Sequence, residues 1–82
     1  MGDGDTTAPR ILFGLRVRKL RHTRALSQED LSERSGLHTT YLSGIECGHR
    51  NVSLLNIYRL ADALRVPPGD LLATSLSTEG ER

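Results

Sequence analysis

The segment Ser27–Asn51, SQEDLSERSGLHTTYLSGIECGHRN, contains the two short helices that decide the fold. Ser27 stands three residues before Asp30, which is the spacing of an N-terminal capping box with aspartate in place of the usual glutamate. This pattern predicts a helix over 28–35. The helix is expected to end at Gly36, because glycine readily takes the left-handed conformation that often follows a helix.

A second short helix is predicted over 39–47, with Gly48 ending it. Helices of this length are not stable alone in water, so both must pack against a shared core. That core is predicted to contain Leu31, Leu37, Leu42 and Ile45. Two short helices joined by a glycine-containing turn are typical of a helix-turn-helix unit, although a generic small helical bundle has the same pattern.

Three further helices flank this pair. The first is predicted over 10–24, the fourth runs from the cap Ser53 to about residue 65, and the last begins near Pro67, since proline is tolerated in a first turn. On the first helix Phe13, Val17, Leu20 and Arg24 fall on one stripe, and the predicted core stripe of the fourth helix is Leu54, Ile57, Leu60, Ala61 and Leu64. Residues 1–9 and 74–82 lack periodicity and are predicted to be flexible tails, which leaves a domain over 10–73.

The basic residues are concentrated in the first predicted helix. The chain has 82 residues and a net charge of +1, yet Arg10–Leu72 contains ten Lys or Arg against six Asp or Glu. Six of those bases lie within Arg10–Arg24, which contains no acid. Such a segment can bind a polyanion, although a solvated helix face would have the same composition.

Composition excludes several classes of protein. Cys47 is the only cysteine, so no internal disulfide framework forms, and a reducing, cytoplasmic setting is expected. It lacks metal-ligand spacing with His22, His38 or His49, and we predict neither a metal site nor a cofactor. The sequence contains no nucleophile elbow, phosphate loop or paired carboxylates and leaves too little chain for a pocket, so we predict that it is not an enzyme. No apolar run reaches transmembrane length, and 1–10 is too polar for a signal peptide, so no membrane association is expected.

A longer pattern links these elements. It reads Leu-Ser-Gln-Glu-x-Leu, then Gly-Leu, then Tyr-Leu-Ser-x-Ile-Glu-x-Gly-x-Arg-Asn, then Ser-Leu and a helix rich in leucine and alanine. Over Phe13–Leu72 the chain thereby resembles the phage-repressor-type (Cro/XRE) helix-turn-helix family. The resemblance implies an all-α, compact five-helix domain, λ-repressor-like, that binds DNA. The TYLSGIE segment with its later Arg-Asn pair is also similar to the controller proteins of restriction–modification operons.

The outward face of the third helix is predicted to contact bases. At 100° per residue, Leu42 and Ile45 mark its buried side, and a recognition helix enters the major groove with its N-terminus first. Threonine can serve several bases through its hydroxyl and can pack its methyl on thymine, although a threonine here could instead cap the helix. The candidate base-contacting residues are His38, Thr39, Thr40, Ser43, Gly44 and Arg50.

The resemblance also implies phosphate contacts, which fix the register on DNA. The family uses the glutamine that matches Gln28 in this way, and Arg50 with Asn51 matches the loop that holds the DNA backbone. The full set of predicted phosphate contacts is Gln28, Tyr41, Arg50, Asn51, Arg16 and Arg24. The family pairs the position of Glu46 with a base of the first helix, which by spacing is Arg21, as a structural ion pair. The alternative is a solvated Glu46.

Three residues depart from the family pattern. Ala25 and Arg65 stand where the family usually has glycine, so a left-handed backbone at either position is mildly strained. Cys47 replaces a residue that is usually Arg, Asn or Lys, which removes a possible contact with the DNA backbone. None of these changes alters the predicted fold.

The predicted function is sequence-specific regulation of transcription on double-stranded DNA. One module reads few base pairs, so we expect a homodimer on a pseudo-palindromic operator, with helix 39–47 in the major groove. The predicted twofold interface contains Leu55, Tyr58, Asp62, Leu72 and Leu76. The alternative is a protein-interaction module or an antitoxin-like regulatory subunit on the same fold. Nothing in the sequence indicates a contact with RNA polymerase.

Overall fold

The computed structural model describes residues 7–73, and this part of the chain is all-helical. The helices are α1 (Thr7–Thr23), α2 (Gln28–Ser35), α3 (Thr39–Glu46), α4 (Leu54–Leu64) and α5 (Pro68–Leu72). The predicted all-α fold of five helices is confirmed. In these five helices no segment is long and apolar enough to cross a membrane. The predictions for residues 1–6 and 74–82, including Leu76, lie outside the described residues.

Helix α1 begins at Thr7, three residues before its predicted start. Pro9 lies in its first turn, where the missing N–H of proline would have no helical partner in any case. The polar composition of residues 1–9 predicts a tail. Composition alone does not show that the helix formed by the following apolar stripe continues toward the N-terminus as far as Thr7.

The short helix α2 is closed at both ends by local hydrogen bonds. Asp30 N donates to Ser27 Oγ at 2.9 Å, and Ser27 N donates back to Asp30 Oδ2 at 2.9 Å, which completes the predicted capping box. The bond from the Ser27 backbone, followed by the one involving its side chain, lowers the pKa of Asp30 below its ordinary value. Gly36 takes the predicted left-handed conformation, with φ 78°.

Two residues other than glycine also adopt left-handed backbone. Ala25 has φ 56° in the turn before α2, and Arg65 has φ 59° at the C-cap of α4. Both are positions where the family usually has glycine. The strain expected there is small enough for the packed helices to maintain, since a single left-handed residue costs about 1–2 kcal/mol.

One core joins all five helices. Leu31, Leu42 and Ile45 are almost fully excluded from solvent and Leu37 is nearly so, which confirms the core predicted for α2 and α3. The fully buried residues from the other helices are Val17, Leu60, Leu64 and Leu71.

The prediction that Leu54 belongs to this core is wrong, because its side chain is 70% exposed. Leu54 is the first residue of α4, and a Cα–Cβ bond tilts toward the N-terminus of its helix. The side chain therefore projects past the end of the buried stripe. The later residues of that stripe are buried, or half-buried in the case of Ile57.

Helices α1 and α3 approach each other closely at Gly14. A Cβ at this position would lie 2.9 Å from the Glu46 carbonyl oxygen and nearer still to that of Ile45. Only glycine permits this approach, because the obstructing atoms are backbone. The close packing brings the C-terminal part of α1 within reach of the last residue of α3.

Candidate nucleic-acid interface

Helix α3 presents short side chains on its outward face. Leu42, Ile45 and Glu46 are buried on the inner side, whereas Thr40 and Cys47 are exposed and Thr39, Ser43 and Gly44 are half-buried. His38 occupies the N-cap position, and its side chain makes no capping hydrogen bond. The N-cap position therefore belongs to neither threonine. This face can approach another surface closely and offers hydroxyl and methyl groups to it.

Arg50 folds back over the outward face of α3. Its Cζ stands 5.6 Å from the centroid of the Tyr41 ring, within the range of a cation–π contact. A Cβ on Gly44 would lie 3.0 Å from both Cγ and Nε of Arg50. Gly44 is one of the predicted base-contacting residues, and here it leaves room for the arginine. Arg50 follows the end of α3, so helical periodicity alone could not reveal this contact.

Tyr41 connects the same face to α4. Its ring is half-buried and packs against the core, and its hydroxyl accepts a hydrogen bond from Asn56 Nδ2 at 3.1 Å. This contact fixes the ring over which Arg50 lies. Asn56 gave no signal in the sequence beyond its place in the first turn of α4.

A buried carboxylate connects α1, α2 and α3. Glu46 Oε2 accepts from Arg21 Nε at 2.7 Å, and Glu46 Oε1 accepts from Arg21 Nη2 at 3.0 Å. Arg21 also donates from Nη1 to the Leu26 carbonyl oxygen at 2.9 Å. The hydrogen bond to Glu46 raises the pKa of Arg21 against the opposing effect of burial, so the guanidinium stays charged.

Gln28, the predicted phosphate contact, is part of the same cluster. Its Nε2 donates to Glu46 Oε1 at 3.1 Å. Gln28, Arg21 and Thr39 line one shallow depression between the beginnings of α2 and α3. Glu29 lines it as well, and this carboxylate opposes an anion there. The sequence predicts an ion pair of Arg21 with Glu46 and a separate Gln28, whereas the structure brings all three side chains together.

The remaining predicted phosphate contacts differ in their surroundings. Asn51 is exposed in the loop after α3, next to Arg50, and Arg24 is half-buried just after α1. Arg16 has a different partner, since its Nε donates to the Asp70 carbonyl oxygen at 2.7 Å. This bond ties α1 to α5 through one nitrogen of the guanidinium, and the phosphate contact of Arg16 stays a prediction.

Helices α4 and α5 carry a second exposed surface, which is apolar. Leu55, Tyr58 and Leu72 are 60%, 55% and 57% exposed, and Asp62 is exposed beside them. At 100° per residue, the misplaced Leu54 falls on the same side of α4 as Tyr58. The α4–α5 surface is therefore defined as Leu54, Leu55, Tyr58, Asp62 and Leu72, which adds Leu54 to the predicted set.

Comparison with known proteins matches residues 17–71 to a helix-turn-helix family. The chain is 52% identical over 64 residues to control protein C.BamHI of Bacillus amyloliquefaciens, covering 77% of this chain and 79% of that protein. It is 46% identical over 56 residues to control protein C.SmaI of Serratia marcescens, covering 68% and 67%.

A solved structure has a similar backbone. The restriction-modification controller protein C.AhdI of Aeromonas hydrophila matches with a TM-score of 0.77 and 50% identity, over 78% of this chain and 97% of that one. These relatives are transcriptional regulators without enzymatic activity. The chain belongs to the Cro/XRE-type helix-turn-helix family of DNA-binding transcriptional regulators, which bind double-stranded DNA.

Proposed function

We propose that the chain is the controller protein of a restriction–modification system and binds a pseudo-palindromic operator as a homodimer in the cytoplasm. Similarity to the control proteins C.BamHI and C.SmaI and to the restriction-modification controller protein C.AhdI supports this role, because the name of C.AhdI states it and each of the three is at least 46% identical. The observation that carries the proposal is the outward face of α3, where short side chains lie beside an exposed arginine.

The base-contacting set is His38, Thr39, Thr40, Ser43 and Arg50. Apart from His38 and Arg50 these side chains are short, so α3 must lie deep in the major groove and use methyl contacts, hydroxyl groups and bridging water. Gly44 and the Tyr41 ring support Arg50 from below. Such a face supplies few bidentate contacts, and specificity then depends partly on the deformability of the operator.

The phosphate-contacting set flanks that face. Gln28 lies at the start of α2, and Arg50 with Asn51 lies in the loop after α3, so the two groups come from the segments before and after the recognition helix. Arg24 adds a half-buried guanidinium near the start of α2, and Tyr41 adds a hydroxyl. Phosphate contacts from both segments would fix the register of α3 along the groove.

Binding of duplex DNA is tested by titrating a labelled duplex at two ionic strengths. Neutralisation of several phosphates predicts a loss of affinity of at least about tenfold between roughly 50 and 200 mM salt. Cys47 gives an independent measurement, because it is the only cysteine and is exposed on the outward side of α3. Duplex DNA is expected to slow its alkylation, whereas salt-insensitive binding and unprotected alkylation would contradict the proposal.

The α4–α5 surface is the proposed dimer interface. Leu54, Leu55, Tyr58 and Leu72 are exposed apolar residues on two helices that pack together, and a twofold axis through this surface would bury them against the same surface of a second copy. In this arrangement Asp62 lies at the rim. Burying this surface removes from water leucine and tyrosine side chains that are all more than half exposed in the single chain.

Sedimentation of Leu55→Glu tests the interface. The variant is expected to be monomeric at concentrations where the wild type is a dimer, because the new carboxylates would face each other. Leu15→Glu is the matched control, since Leu15 is a leucine of similar exposure, 54%, on α1 and is not part of the α4–α5 surface. A monomeric wild type at tens of micromolar, or equal effects of the two substitutions, would contradict the proposed interface.

A further inference from the structure

The Glu46 carboxylate determines the orientation of the Gln28 side chain. Its Oε1 accepts from both Arg21 Nη2 at 3.0 Å and Gln28 Nε2 at 3.1 Å. An ionised carboxylate only accepts hydrogen bonds, so the amide nitrogen of Gln28 must face Glu46 and its carbonyl oxygen must face away. Glu46 itself is held in place by two hydrogen bonds from Arg21 and is buried, with only 8% of its surface exposed.

This orientation bears on how Gln28 can contact DNA. A carboxamide nitrogen has two hydrogens, and one of them is bonded to Glu46. The second remains available to a phosphate oxygen at the entrance of the depression between α2 and α3. An unrestrained carboxamide could rotate and present its oxygen, which a phosphate would repel. Arg21 neutralises the carboxylate, so the cluster adds no net negative charge beside the DNA.

We propose that Glu46 is a positioning residue for DNA binding, which acts by fixing the carboxamide of Gln28 so that its free N–H faces a backbone phosphate. Arg21 is the counter-charge that lets the carboxylate remain buried and ionised. The inference rests on the proposed function, in which Gln28 contacts phosphate. This positioning role of Glu46 differs from that of a purely structural ion pair between α1 and α3. Such a pair would stabilise the fold without acting through Gln28.

A double-mutant cycle on DNA affinity separates the two roles. Gln28→Ala and Glu46→Gln are each expected to weaken duplex binding about tenfold, as for loss of one charge-assisted hydrogen bond. If Glu46 acts through Gln28, the double variant loses no more than either single variant. Additive losses, about a hundredfold for the double variant, would overturn the inference. All affinities are measured well below the unfolding temperature of each variant.

A nuclear magnetic resonance measurement tests the orientation itself. Gln28 is the only glutamine in the sequence, so its side-chain amide signals are identified by residue type. In the free protein one amide proton is expected to be shifted well away from the other by its bond to Glu46. In Glu46→Asp, where Gln28 is still the only glutamine and the carboxylate is drawn back by one methylene, this separation should collapse toward that of a free carboxamide. Identical amide signals in the two proteins would overturn the inference without reference to DNA.

Glu46→Asp is the second variant, in case Glu46→Gln fails to fold. It keeps the negative charge that faces Arg21 but withdraws the carboxylate from Gln28 by one methylene. The cycle with Gln28→Ala is again expected to show no additivity. If the wild type binds duplex DNA and the losses of the two single variants add in the double variant, only the positioning role is overturned. If the wild type does not bind duplex DNA, the proposed function is overturned as well.

Discussion

The close approach of α1 and α3 at Gly14 predicts a large loss of stability in Gly14→Ala. The added Cβ would stand 2.9 Å from the Glu46 carbonyl oxygen, where ordinary contact begins at 3.4 Å, and Ile45 O obstructs it further. The helices must therefore separate by at least 0.5 Å. Val17 and Ile45, both essentially fully buried, would lose contacts as the helices separate.

The expected cost is about 3 kcal/mol, at the upper end for overpacking, because backbone rather than a flexible side chain blocks the new atom. This value already includes the gain of about 0.5–1 kcal/mol that alanine brings to a helix interior. For a domain of this size, the Tm should fall by about 15 °C. Urea and thermal unfolding followed by far-UV circular dichroism measure both quantities.

Two other glycines provide matched controls for the same substitution. A Cβ at Gly36 would contact nothing within 4 Å, but its φ of 78° is unfavourable for alanine, so Gly36→Ala should cost about 1–2 kcal/mol through the backbone alone. Gly69 has neither obstruction nor positive φ, and Gly69→Ala should be neutral or slightly stabilising. A smaller loss at Gly14 than at Gly36 would refute the reasoning.

Three further predictions concern the interface and its supports. Gly44→Ala should keep or slightly raise stability, because alanine favours a helix interior and only the flexible Arg50 side chain must move. It should nevertheless weaken operator binding, and a loss of binding that persists in an Arg50→Ala background would contradict this route. Glu29→Gln should strengthen binding to every duplex alike and steepen its salt dependence, because it removes a negative charge from the depression beside Gln28. Unchanged affinity would mean that the DNA phosphate does not lie at this depression. Because folding lowers the pKa of Asp30, its capping box stabilises the protein at pH values above the ordinary pKa of 3.8, and this effect is lost as the pH falls through the pKa of the folded state. The difference in unfolding free energy between wild type and Asp30→Asn should therefore close in acid. A difference that widens in acid would contradict the capping role of Asp30.

The sequence was sufficient to predict most of the fold because its signals are local. The Ser27 cap, the glycine after α2 and the leucine stripes each depend on residues within one or two turns. The failures occurred at helix ends. Leu54 fits the periodic stripe but projects beyond it, and α1 extends back to Thr7 although the composition there indicates a tail.

The candidate site was harder to predict because its contacts join distant residues. Arg16 satisfies the backbone of Asp70, which is 54 residues away, and no local pattern reveals such a bond. The link between Gln28 and Glu46 spans 18 residues and depends on how α2 packs against α3. A helical wheel identified the outward face of α3, but not the arginine that lies across it.

Base reading by α3 within a symmetric dimer is tested by selecting bound duplexes from a random pool, with wild type and Thr40→Ala compared. We expect a pseudo-palindrome whose half-sites are about one helical turn of DNA apart or a multiple of it, with relaxed choice at one base pair per half-site in Thr40→Ala. Selection of no common sequence, or of one identical sequence by both proteins, would contradict it.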